Sequence, residues 1–200
     1  MTRRKIKEKK NSTSRVIFAT SNEQKVIEAR LAVAPYGVEL EHSCVDVDEI
    51  KDLDVFKVAG KKALDTFAQL KKPVVVEDTG VFFHAFPGFP GTYSKFCIQT
   101  IGVKNTVKVL DGHSKKAHFS TIVCYCDGKS VKSFEGKIEG EVVLQPRGVA
   151  PLKVPYDTVF VPTGEKKTFA ELGEKRKNEI SARAMAFRKF AEWFSHKKRV

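Results

Sequence analysis

The chain predicts an α/β fold built on a mixed sheet, and three observations predict it. Early apolar strand-like runs alternate with helical patterns, which places helices against a sheet with parallel strands. A long two-stranded pattern around Asp127-Gly128 occupies the middle of the chain, and only antiparallel strands join that way. The last apolar stripe, Ile180, Ala184, Phe187, Ala191 and Phe194, has helical spacing. Together they describe helices packed on a mixed sheet, arranged as two lobes.

The elements follow in order. "RVIFAT" (15–20) is a short apolar strand, and "SNEQKVIEARLAVAPYG" is a helix. Ser21 or Asn22 caps that helix, Glu23 sits in its first turn, and Pro35 and Gly37 end it. A second strand covers Val38–His42. Asp54 caps a helix with Val55, Ala59, Ala63, Phe67 and Leu70 on one face. After Pro73 the buried strand "VVV" ends in two adjacent acids, Glu77 and Asp78. "FPGFPGTYSK" (86–95) reads as a rigid Gly/Pro-rich connector. The central hairpin turns tightly at Asp127-Gly128, and "VPYDTVFVP" gives a further short strand. "TFAE" (168–171) is a capping box that opens a short helix closed by Gly173, and the final helix starts near Ile180.

Composition bounds the rest. Two hundred residues, 42% hydrophobic and 30% charged, can bury a sizeable core. No apolar run approaches the roughly 20 residues that span a bilayer, and the basic start lacks the apolar stretch of a secretory signal. Cys44, Cys97, Cys124 and Cys126 lack zinc-type spacing and read as reduced thiols of an intracellular, cytoplasmic protein. The net charge of +12 is concentrated at the ends: residues 1–10 carry +5, and Lys197, Lys198 and Arg199 add +3. The expected organisation is therefore a basic tail over 1–14, one domain over 15–195 and a second basic tail over 196–200. Such tails can touch nucleic acid nonspecifically, or merely solubilise the chain.

Four segments carry chemistry. Thr20, Ser21 and Asn22 join a strand to a helix whose free N–H groups form an anion site, and Lys25 reaches back from one turn in. "VEDTG" places Glu77, Asp78 and Thr79 at an expected strand end, where ligands bind in α/β sheets. A divalent cation would hold paired acids ionised, and Mg²⁺ commonly takes one or two carboxylates plus substrate phosphates. The acidic run "DVDEIKDLD" (46–54) can supply another ligand. Lys177, Ser181 and Arg183 cluster at the start of the last helix. Each of these segments also has an ordinary structural explanation.

Taken in order, they resemble the inosine triphosphate pyrophosphatase (Ham1-like) family over about Arg15 to Phe194. The match comprises Thr20, Asn22 and Lys25; Glu49; "VEDTG" (76–80); "PGFPGTYSK" (87–95); "YDTVFVPTGEKKTFAEL" (156–172); and "KNEISARA" (177–184). The resemblance implies an elongated α/β fold with a nucleotide cleft between its lobes, usually homodimeric. It also implies Mg²⁺-dependent hydrolysis of non-standard purine nucleoside triphosphates (ITP, dITP, XTP) to monophosphate and pyrophosphate. Thr20, Ser21, Asn22, Lys25, Lys62, Thr79, Lys95 and Lys177 would then hold the triphosphate. Glu49 and Asp78 would position the metal, and Asp78, supported by Glu77 and Lys25, would act on the attacking water. Val154, Pro155, Tyr156, Asp157, Ser181, Ala182 and Arg183 would surround the base.

This chain has Val154 and Pro155 where the family usually has Phe-Gly, and Ala182 where it has histidine. A stacking ring and a hydrogen-bonding imidazole are thereby lost from base recognition. Two other readings stand beside this one: a Maf-like pyrophosphatase for other modified nucleotides, and a basic nucleic-acid-binding protein on a lapsed nucleotide fold.

Overall fold

Residues 14–45, 47–48, 50–151 and 153–197 are described by the structure, a computed structural model. Glu49 and most of both basic tails lie outside that set. Among the described residues no helix is long and apolar enough to cross a membrane.

Strand β1 (Ser14–Ala19) pairs in parallel with β2 (Val38–Ser43) on one side and β3 (Val74–Phe83) on the other. Beyond β3 the sheet turns antiparallel through β5 (Lys116–Cys126), β6 (Val131–Val142) and β7 (Phe160–Pro162). The two-residue strand β4 (Pro90–Gly91) pairs with the far end of β3. The order is β2-β1-β3-β5-β6-β7, the mixed sheet that the sequence predicts.

Helices α1 (Glu23–Val33) and α5 (Ala182–Lys197) cover one face, where Phe18, Val75, Phe187 and Phe190 form the core. Helix α2 (Val55–Leu70) covers the other face over Val74, Val76, Ile122, Cys124 and Cys126. A third apolar cluster, with Val81, Phe83, Val107, Tyr156, Phe160 and Phe169, gathers α3 (Ser94–Lys108) and α4 (Phe169–Ile180) at the β6–β7 end. All four cysteines are free thiols.

Several boundaries differ from expectation, each for a local reason. Glu77 and Asp78 lie mid-strand, because β3 continues to Phe83 with β5 paired along its whole length. Successive strand residues face opposite sides, so Glu77 shares the α1/α5 side with Val75 while Asp78 shares the α2 side with Val76. Adjacent in sequence, the two acids do not confront each other in space.

The hairpin turn is longer than the dipeptide Asp127-Gly128. Asp127 Oδ1 accepts from the N–H groups of Lys129 and Ser130, and of this pair only Gly128 takes positive φ. "VPYDTVFVP" forms a 3-10 turn over Pro155–Thr158 before its short strand. Gly173 closes the first short stretch of α4 as expected, its backbone leaving the helical region (φ 77°, ψ 167°) before a second stretch resumes, and Ser181 separates α4 from α5, its Oγ accepting from Ala184 N. Helix α3, absent from the sequence reading, occupies 94–108 with a break at Gly102. The expected C-terminal tail begins inside α5, where Lys197 Nζ lies 2.6 Å from Asp127 Oδ2.

One glycine sets how closely α5 approaches the sheet. A Cβ on Gly136 of β6 would overlap the Ala182 carbonyl oxygen and press on Ala186 N at 2.7 Å, both of them backbone atoms that cannot swing aside. Gly136→Ala is therefore expected to cost about 2–3 kcal/mol by overpacking. Thermal unfolding should register this as a Tm lower by about 4–12 °C; an unchanged Tm would show that α5 can slide.

Candidate active site

The cleft begins where β1 stops. Its pairing with β3 ends at Phe18–Val75, so β3 from Val76 onward lacks β1 along that edge. Thr20 follows β1 directly, and the chain turns there into α1. Asn22 N donates to Thr20 Oγ1, and Asn22 Oδ1 caps α1 by accepting from Gln24 N. The Lys153 segment folds over this turn, Lys153 Nζ donating to Ser21 O at 2.9 Å. Thr92 Oγ1 donates to Asp52 O at 2.6 Å, which ties the acidic 47–54 segment to the loop before α3.

These segments enclose a cleft of about 610 Å³. Of the residues expected to touch nucleotide, Thr20, Ser21, Asn22, Lys25, Lys62, Asp78, Thr79, Lys95, Val154, Pro155, Tyr156, Asp157, Lys177, Ser181, Ala182 and Arg183 all line it. Helix α2 presents Lys62 and β3 presents Asp78; from the opposite side come Lys25, Thr79 and Arg183. Asp48 also lines the cleft, so the acidic run does deliver a carboxylate there.

Glu77 is placed differently from the other candidates. It is 2% exposed and lies behind the cleft wall as a structural anion. Its Oε1 is 2.9 Å from Lys25 Nζ and accepts from Thr79 Oγ1 at 2.8 Å, and its Oε2 accepts from Arg183 Nε at 2.6 Å. Arg183 Nη1 continues to Glu28 Oε2 at 2.5 Å, and Glu28 Oε1 takes Lys177 Nζ at 2.8 Å. Lys177 ends on Asp157 Oδ2 at 2.5 Å. Lys25, Glu77, Arg183, Glu28, Lys177 and Asp157 thus alternate in sign along one chain of ion pairs beneath the cleft.

Burial would raise the pKa of Glu77, but Arg183 and Lys25 outweigh it and hold the carboxyl far below the usual range. Glu28 is likewise pulled down against burial by Arg183 and Lys177. Asp157 goes the other way: burial dominates over its single lysine and raises it. Two of the expected ligand contacts, Lys177 and Arg183, are therefore committed to carboxylates, and their first task is to fix the wall they form. Lys25, with 18% of its side chain exposed, serves both Glu77 and the cleft.

The cleft lining is of two chemical kinds. Lys25, Lys51, Lys62, Lys95 and Lys153 supply cations, and Asp78 and Asp48 carboxylates. Val81, Ile98, Phe119, Tyr156 and Phe169 supply an apolar, largely aromatic wall. Such a space suits a ligand that combines a polyanionic part with a flat, apolar one. Glu28, Lys51, Lys153, Phe119 and Phe169 were not picked out from sequence. Glu28 carried a signal, as a carboxylate on the stripe of α1 that also holds Ala29 and Ala32. The other four carried none.

Comparison with known proteins agrees with this geometry. The Ham1 family pattern matches residues 16–193. A dITP/XTP pyrophosphatase of Methanopyrus kandleri is 40% identical over 184 residues, covering 91% of this chain and 97% of its own. One from Saccharolobus solfataricus is 38% identical over 87% of this chain and 90% of its own. Among solved structures, a HAM1 protein from Coxiella burnetii superposes with a TM-score of 0.78 at 21% identity, over 92% of this chain and 99% of that one, which speaks to fold alone. A match spanning nearly the whole chain makes this protein a member of the Ham1 family.

Proposed function

We propose that the chain hydrolyses non-standard purine nucleoside triphosphates, such as XTP, ITP and dITP, to the monophosphate and pyrophosphate. The observation that carries this reading is one cleft lined by several lysines, by Asp78 and Asp48, and by apolar and aromatic side chains. Relatives of similar length bear the name of that activity. Lys62 and Lys95 neutralise the phosphate oxygens, while Lys25, braced by Glu77, does so from the N-terminal turn of α1. The Asp78 carboxylate orients the attacking water and accepts its proton.

The donor set suits Mg²⁺, since Asp78 and Asp48 offer hard carboxylate oxygens beside a phosphate-binding surface. When bound, Mg²⁺ would neutralise charge that develops on the phosphate oxygens. Glu49, next to Asp48, completes the set in this reading. The base lies toward Val154, Tyr156 and Ala182, in a cleft that Phe119 and Phe169 also line. The same reading treats residues 15–195 as one functional domain, supported by a cleft that draws side chains from Thr20 through Arg183. Exposed Phe96 and Ile101 on α3 support a homodimer, and the free thiols support an intracellular setting. The intact lysine and carboxylate set speaks against a lapsed fold.

Kinetics with XTP, ITP, dITP, ATP and GTP test the proposal. Pyrophosphate should appear in step with monophosphate, only when Mg²⁺ is present. The first three substrates should be preferred by about 10- to 200-fold, the range that pocket shape reaches without a dedicated hydrogen-bonding side chain. Release of orthophosphate, or no turnover of any of the five, would sink it.

A further inference from the structure

Outside the cleft, three adjacent strands bring His84, His118 and Glu139 to one point. His118 of β5 pairs directly with Glu139 of β6, and Phe82 of β3 pairs with His118. His84 is two residues beyond Phe82 and held to β5 by its N–H donating to Lys116 O. His84 Nε2 is 3.0 Å from His118 Nδ1 and 3.3 Å from Glu139 Oε2, and the three ligand atoms lie within 4.8 Å of one another. None of the three lines the cleft.

We propose that His84 Nε2, His118 Nδ1 and Glu139 Oε2 form a binding site for a divalent transition metal of the Zn²⁺ class. Two ligands on one tetrahedral zinc ion lie about 3.2–3.5 Å apart, given bonds of about 2.0–2.2 Å. Two of the separations, 3.0 and 3.3 Å, lie near that spacing, and the third pair is no more than 4.8 Å apart. Two imidazoles with one carboxylate favour zinc, copper or nickel over Mg²⁺, which prefers oxygen donors.

The surroundings also hold the ligands in place. The His118 ring stacks on Phe82 with centroids 4.9 Å apart and planes 12° apart, which fixes its orientation. Glu139 uses Oε1 to bind Lys137 Nζ at 2.9 Å, leaving Oε2 turned toward His84. Metal-ligating carboxylates are commonly held by such an outer partner. Bound metal would staple β3, β5 and β6 together beside the apolar cluster of Phe83 and Ala117, with a fourth coordination position open to water.

The test is Zn²⁺ titration by calorimetry into the full chain carrying Cys44→Ser and Asp78→Asn. These changes remove the thiol beside His42, 3.5 Å away, and the cleft carboxylate as competing ligands. Co²⁺ absorbance reports the coordination geometry in parallel. One equivalent should bind and raise Tm, with excess Mg²⁺ failing to compete. Adding His118→Ala should weaken binding by at least about 100-fold, and Lys137→Ala by about 10-fold, as outer partners do. Exposed His84→Gln gives the same readout should His118→Ala unfold. No saturable binding, or binding indifferent to His84 and His118, would overturn the proposal.

Discussion

Asp78→Asn is expected to leave a folded protein whose kcat for pyrophosphate release from XTP is about 10²- to 10⁴-fold lower, the range for losing a positioned general base. Asparagine keeps the volume and the hydrogen-bonding reach of the side chain but cannot accept a proton from water or offer a charged oxygen to a cation. Asp78 is half-buried, within the fully paired β3–β5 ladder, so backbone support persists without its charge. Because the lysines that would grip the triphosphate are untouched, KM should move far less than kcat. Lys25 would be a poorer probe. Removing it takes a cation from the cleft and also strips Glu77 of a partner, so lost activity would mix chemistry with a disturbed wall. An Asp78→Asn enzyme with activity near the parent would assign the proton transfer elsewhere.

The sequence made this site legible where chemistry is local. Thr20, Asn22 and Lys25 fall within one turn of a capped helix, and that turn formed as its spacing implied. The cap of α2 at Asp54 and the box at Thr168 and Glu171 are equally short-range, and both formed. What sequence hid depends on residues far apart in the chain. Glu28 meets Lys177 and Arg183 across 149 and 155 residues, and nothing in either segment names the other. Helix α3 was missed because its apolar residues form no stripe: Phe96 and Ile101 are exposed while Ser94 and Thr106 are buried, and Gly102 interrupts it. In sequence the pair Glu77-Asp78 looks like a strand end, since side-chain type does not reveal that β5 continues alongside. Its separation onto two faces follows from strand periodicity alone once the strand is known to run on.

That separation makes the second large effect one of stability. Arg183→Met is expected to lower stability by about 3–5 kcal/mol, because it leaves Glu77 and Glu28 buried with fewer partners. For a chain of this size that is a Tm lower by about 6–20 °C. Methionine matches the length of the arginine stem, so most of the loss is electrostatic. Adding Glu77→Gln should then recover part of it, since an amide tolerates the site better than an orphaned carboxylate.

The pH dependence gives an independent check. In the parent, Glu77 and Glu28 are held below their unfolded values by Arg183 and its neighbours, so unfolding takes up protons. The stability they contribute is present above the unfolded carboxylate range and lost as pH falls below roughly 5. Without Arg183 that depression shrinks, and the variant loses less on acidification. The Tm gap between parent and Arg183→Met should therefore narrow from pH 7 to pH 4. A gap independent of pH would mean that the guanidinium acts through packing, and the alternating ion pairs beneath the cleft would then be a consequence of the fold instead of one of its supports.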